Sequence, residues 1–398
     1  MGLLEKESFF SVSFDLIVLD LALPYDLYIN SSTHVTREKF VRIYPSGARL
    51  SKEDLLDFKR KYHQLYILET QRQLYLKNLV DCRSASDIQK TSVIRDSAIV
   101  YLDKVFTPDK EFTTQVLGEA IEGCRDSVES MVDTLKDYSV EDVSELIGSL
   151  SFHDFYTYDH SINVSMYSIS IFKAIKPKAS REEQVMAGLG GLLHDLGKIK
   201  IPTQIINNPG KLSEEDFEEI KKHPDYGVEL LDQTHIDCPG VNFDVIRRII
   251  HEHHENYNGT GYPNKIAAKD IHLMARICAV ADFFDAITTK RSYHDVLSVD
   301  EALKVMSRAS GRKIDPKVFD IFVKSIRKNG LTEKANRELR DDFDPCQPHN
   351  VLPFAPIDNK KKLSTEQDKN FGKVSGDSDI FGKKEKAEKA EKDKKKAG

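Results

Sequence analysis

The chain has 398 residues, 40% of them hydrophobic, and a formal net charge of −6. That length allows two domains and a large core, and the charge gives no argument for nucleic-acid binding. Five cysteines, Cys82, Cys124, Cys238, Cys278 and Cys346, lie far apart without a CxxC pair; this argues against a disulfide framework or a cysteine-based zinc site and fits a reducing compartment. No apolar run reaches the roughly 18–20 residues that span a bilayer. The best candidate, FFSVSFDLIVLDLALPYDL, is interrupted by Asp15, Asp20 and Asp26. MGLLEKES lacks the apolar core of a signal peptide, so a cytoplasmic protein is expected.

In chain order, residues 1–80 read as a small α+β regulatory module. FDLIVLDLAL and DLYIN are strand-like, and KFVRIY leads into the turn PSG. Ser51 with Asp54 predicts a capped helix through LSKEDLLDFKRKY, and LYIL returns as a strand. DLIVLDLALP is similar to the strand that carries the phosphorylated Asp of receiver domains, here Asp20. Only 19 residues precede it, too few for the strand–helix–strand such a domain needs first. The reading is therefore a sheet-forming start to a small module.

Residues 81–139 read as a helical connector, with apolar positions three and four apart over 113–137. A homodimer through that long helix is expected. Helical patterns follow at 140–150, 158–175, 181–196, 213–222, 225–233, 242–253, 270–287, 299–309 and 315–327, which describes an all-α domain over 140–340. Residues 341–398 read as a disordered charged tail. Its end, KKEKAEKAEKDKKKAG, has eight Lys against three Glu and one Asp. A solubilising role is the simplest reading of that run.

Within the helical domain several ionisable residues do not look like surface. LLHDLGKIKIP places His194 and Asp195 at the end of an apolar helix. His160 sits early in an amphipathic helix, His223 precedes Pro224 at a helix start, His253 and His254 close VIRRIIHEHH, and Asp282 interrupts the apolar ARICAVADFFDAI. A buried charge is costly unless paired or metal-bound. Five His and two Asp without a thiolate suit iron, manganese or zinc. Seven side chains exceed what one catalytic metal takes, so two metals sharing Asp195 as a bridge are expected. Lys198, just after a Gly197 read as the helix terminator, and Arg291 are cations suited to phosphate. NGTGYP after the His pair can form a pocket wall, with Tyr262 as a flat stacking surface.

With these residues the helical segment resembles the HD-GYP domain of the HD phosphohydrolase superfamily. The matching segments are HSINVS, LLHDLGKIKIP, NNPGKLSEEDFEEIKKHPDYG, HHENYNGTGYP, ARICAVADFFDAITTKRSYHD and GRKIDP, in the family's order. The resemblance implies a mostly α protein whose all-α domain is a metal-dependent phosphodiesterase of bacterial second-messenger signalling. It would linearise cyclic di-GMP to pGpG, and in some members onward to GMP. Carried over, His160, His194, Asp195, His223, His253, His254 and Asp282 would bind metal, with iron expected and manganese the alternative. Lys198 would assist at the phosphate or nucleophile. Arg291 and His294 would contact substrate, and Gly261, Tyr262 and Pro263 would form the signature loop. That loop would also serve a diguanylate cyclase or other signalling partner.

The sequence departs from the family at several positions. Tyr156 stands where members with three metals have Glu, so two metals are expected. Asn256 and Asn258 replace Arg and Asp of HHERxDGxGYP, His294 replaces a Lys, and Asn208 replaces Lys in KPGKL. The cationic rim is thinner. A weakly active or inactive domain that senses a cyclic dinucleotide or acts as an adaptor is the alternative, as is hydrolysis of another cyclic dinucleotide such as cyclic GMP-AMP.

Overall fold

The computed structural model describes residues 8–19, 21–32, 38–106, 113–150, 156–206, 208, 212–233, 238–289, 297–327, 339–340 and 343–345. Asp20, Arg291, His294, Cys346 and nearly all of the expected tail lie outside them.

The N-terminal sheet has strands β1 (Phe9–Val12), β2 (Leu27–Asn30), β3 (Phe40–Tyr44) and β4 (Leu65–Leu68) in the order β1-β4-β2-β3, every pairing antiparallel. In β2 and β4 alternate residues, Leu27, Ile29, Leu65 and Ile67, are buried, as the period of a half-buried strand requires. Helix α1 (Lys52–Lys61) opens with the expected capping box between Ser51 and Asp54. The strand expected in FDLIVLDLAL does not form. Ser13 caps a short 3-10 turn, Phe14–Leu16, and the preceding FFSV supplies the strand instead. Leu16, Ile17 and Val18 are buried consecutively, which a one-faced strand cannot do, so packing overrides strand propensity.

Helices α2 (Arg72–Val80), α3 (Asp87–Phe106) and α4 (Thr114–Thr134) follow. The apolar face of α4, with Leu117, Ile121, Cys124, Val128 and Met131 buried, is covered by α3 and by a helix of the next segment. The three- and four-residue spacing there makes core, and that face is not open to a second copy of the chain.

The helical domain has α5 (Val140–Ser149), α6 (Tyr156–Ile175), α7 (Arg181–Leu193), α8 (Thr203–Ile206), α9 (Glu214–Ile220), α10 (His223–Gln233), α11 (Phe243–Glu252), α12 (Leu273–Thr288), α13 (Val299–Ala309) and α14 (Pro316–Ile326). Helix α6 packs on α7 and α12, and is buried along most of its length. Serine capping boxes start α5, α7 and α13, and Asp315 with Pro316 starts α14. Among the described residues no helix is long and apolar enough to cross a membrane. Cys82, Cys124, Cys238 and Cys278 are free and buried.

Helix α7 ends at Leu193, immediately before the His-Asp pair. His194 is its C-cap, and Asp195 (φ −94°, ψ 11°) turns the chain into a 3-10 segment, Leu196–Lys200. Gly197 therefore lies inside that segment and does not end the helix. Its role is close approach: a Cβ there would lie 1.8 Å from the His223 carbonyl oxygen and 2.5 Å from the Gly227 nitrogen. The absent side chain lets α10 seat against the turn that carries Asp195.

Candidate metal centre

Each expected donor sits at a helix end or on a buried face. His160 lies near the start of α6, His223 is the first residue of α10, His253 is the C-cap of α11 with His254 next, and Asp282 lies midway along α12. All seven are buried and fall into two groups. Asp195, His223, His253 and His254 form one, and His160, His194 and Asp282 the other; within each group the donor atoms lie within 4.8 Å of one another.

Asp195 faces both groups. Its Oδ2 is 3.3 Å from His194 Nε2 and its Oδ1 is 3.5 Å from His223 Nε2. A carboxylate with one oxygen toward each group has the shape of a bridging ligand.

The imidazoles are oriented for metal. Nδ1 of His194, His223 and His253 lies 2.8, 2.8 and 2.7 Å from the carbonyl oxygens of Gly191, Ile220 and Ile250. A carbonyl only accepts, so each Nδ1 carries the proton and each Nε2 offers a lone pair. His223 Nε2 and His253 Nε2 then face each other at 3.2 Å, a repulsive contact unless a cation or proton sits beside them. His194 Nε2 is buried without a hydrogen-bond partner among the described residues. A cation answers both observations, so the residues present fit a metal centre.

The electrostatics agree. Burial pushes His223 down to about 4, and holds His253 and His254 well below the usual imidazole range, each with help from neighbouring imidazoles. These rings are neutral at pH 7, as ligands must be. Burial also opposes the ionised form of Asp195, but His194, Lys198 and His223 outweigh it and hold the carboxyl well below its usual range. His160 goes the other way: burial opposes its charge, yet its hydrogen bonds to Asp282 and Asp285 raise it to about 9.

Asp285 escaped the sequence reading. It is fully buried; its Oδ2 lies 2.6 Å from His160 Nδ1, while Asn163 and Thr289 donate to its Oδ1 at 2.9 and 2.7 Å. The signal was there in DFFDA, a second acid one turn after Asp282 on the same helical face. Asp285 fixes the His160 ring with Nε2 toward Asp282 Oδ1, 3.2 Å away. We predict that Asp285→Asn weakens metal retention about 10- to 100-fold, measured by chelator competition; unchanged retention would remove Asp285 from the site.

Lys198 donates to Asp195 Oδ2 at 2.6 Å. Over the centre opens a cavity of about 720 Å³, walled by His253, His254, Asp282, Gly261, Tyr262 and Pro263. Gly261 is required by close approach, since a Cβ would lie 2.1 Å from the Asn256 nitrogen and 2.4 Å from the His254 oxygen. The Tyr262–Pro263 peptide is cis. Tyr262 does not offer two free faces: it stacks on His254, ring centroids 4.9 Å apart. Asn256 and Asn258 bind Thr260 within the loop. The sequence reading also missed Lys221, Lys222, Lys265 and Lys313, four cations on the cavity wall.

Residues 146–318 match the HD domain family. The chain is 40% identical over 174 residues to a cyclic di-GMP phosphodiesterase of Pseudomonas aeruginosa, covering 44% of this chain and 40% of that protein. It is 38% identical over 145 residues to a cyclic di-GMP phosphodiesterase response regulator of Xanthomonas campestris, covering 36% and 37%. It is 32% identical over 171 residues to a 3′3′-cGAMP-specific phosphodiesterase of Vibrio cholerae, covering 43% and 35%. The matches thus span 40% or less of these relatives' lengths. Residues 146–318 thus match an HD domain, and their buried His/Asp cluster with the HDLGK, HHE and GTGYP segments resembles the HD-GYP type.

Proposed function

We propose that this domain hydrolyses cyclic di-GMP to pGpG with two metal ions, iron or manganese, held by His160, His194, Asp195, His223, His253, His254 and Asp282. The observation that carries the reading is seven buried donors in two adjoining groups, with Asp195 between them, under a cavity of about 720 Å³. Imidazole and carboxylate without thiolate suit these metals. When bound, such a metal pair supplies hydroxide from water at neutral pH and stabilises charge on the phosphoryl oxygens.

The chain's residues hold and orient. Nδ1 hydrogen bonds fix three of the rings, and Asp285 fixes a fourth. Lys198 holds Asp195, and its ammonium would oppose negative charge growing at a phosphorus bound there. The wall lysines would supply positive charge toward the phosphates of a cyclic dinucleotide. Water adds across one diester: the P–O3′ bond breaks, hydroxide oxygen joins phosphorus, and the proton ends on the 3′ oxygen. The N-terminal sheet with α1 and α2 acts as a regulatory module and α3–α4 as its connector.

Similarity to relatives named for 3′3′-cGAMP supports a second reading, hydrolysis of the hybrid dinucleotide. Protein purified anaerobically should carry about two metals per chain and convert cyclic di-GMP to pGpG or GMP on chromatography. Preferential turnover of cyclic GMP-AMP would select the second reading. A metal-loaded protein that yields no product from either would favour a sensor or adaptor.

A further inference from the structure

Residues 343–345 lie beyond α14, the last helix among the described residues, in the stretch that composition assigns to the tail, yet they form part of the cavity wall. Phe343 is 3% exposed and packs on Phe283, the neighbour of Asp282, with ring centroids 5.1 Å apart. The Lys313 ammonium donates to the Phe343 carbonyl oxygen. The Tyr262 hydroxyl donates to Asp344 Oδ2 at 3.0 Å, and Asp344 Oδ1 lies 4.0 Å from His254 Nδ1.

We propose that Phe343–Asp344–Pro345 is an autoinhibitory strap, seated where the substrate binds, with the Asp344 carboxylate in place of a substrate phosphate. The proposal rests on the reading of this cavity as a phosphodiester site. Three observations carry it. The first is charge: a carboxylate and a diester phosphate are both anions, and neighbouring anions in a half-enclosed site repel strongly. The second is the donors: Tyr262 and Lys313 stand on the cavity wall, and the strap uses both. The third is the anchor: Phe343 is buried against Phe283, the chain neighbour of Asp282, so the strap is docked in the core. Substrate therefore binds only after the strap leaves.

The chain contains no tryptophan, so Phe343→Trp makes a single fluorescent reporter of docking. On titration with cyclic di-GMP its emission should shift to the red and become more open to acrylamide. Asp344→Ala should bind cyclic di-GMP about tenfold tighter by equilibrium dialysis on metal-free protein, and should keep its metal when loaded. Unshifted emission at saturating ligand overturns the strap. So does weaker binding in Asp344→Ala, which would make Asp344 a substrate contact, and so does metal loss, which would make it a ligand. Bis(p-nitrophenyl) phosphate separates this from the substrate reading. If Asp344→Ala lowers KM for that diester while no cyclic dinucleotide binds, the strap stands and the cyclic di-GMP reading falls.

Discussion

Asp195→Ala is expected to strip metal from the centre and to lower turnover by more than about a thousandfold. Its two oxygens face the two donor groups, at 3.3 Å from His194 Nε2 and 3.5 Å from His223 Nε2. Removing it also takes away the carboxylate oxygen that now lies 2.6 Å from the Lys198 ammonium, which leaves more positive charge beside the imidazoles to repel a cation. Asp195→Asn keeps the shape and removes the charge, so it separates ligation from packing: both variants should lose metal, while only the alanine leaves a void. Metal analysis and turnover on the same samples check this. Two retained metals and a rate within about tenfold of the parent would mean that Asp195 does not join the two groups.

The second large effect is structural. Gly197→Ala is expected to destabilise the fold by about 3 kcal/mol or more and to disorganise the His223 side of the centre. The added Cβ would meet the His223 carbonyl oxygen at 1.8 Å and the Gly227 nitrogen at 2.5 Å. Both are backbone atoms, so no rotamer change relieves the contact and α10 must move. Because His223 Nε2 lies only 3.2 Å from His253 Nε2, a shift of α10 breaks a donor group that α11 helps build. Gly148→Ala in α5 is the control. A Cβ there meets nothing within 4 Å, and alanine favours a helix by roughly 0.5–1 kcal/mol over glycine. Urea midpoints should move in opposite directions. If Gly197→Ala unfolds at the parent's midpoint with its metal intact, the close approach does not constrain the site.

The helical domain was legible because its apolar spacing matches the helix period over many turns. Its polar donors also stand out in apolar surroundings, as at Asp282 in AVADFFDA and His194 in GGLLHD. All seven expected donors meet in the fold. The sequence was less informative where composition has two meanings. FDLIVLDLAL looks like strand, but its consecutive apolar residues pack as irregular core, since only the fold can say which apolar run finds a sheet neighbour. The spacing of α4 could serve a dimer or a core, and burial against α3 and α7 makes it core.

By itself, then, the sequence marked out the helical domain and the seven buried His and Asp residues that the fold brings together, because periodicity and misplaced ionisable residues are local signals. Only the tertiary structure decided which donors fall in which group, that Asp285 orients His160, and that Asp344 lines the cavity. Those facts depend on distances between residues far apart in the chain, 125 positions in the case of His160 and Asp285. Gly197 belongs with them: its lack of a side chain reads as a helix stop in one dimension, and as the contact surface of α10 in three.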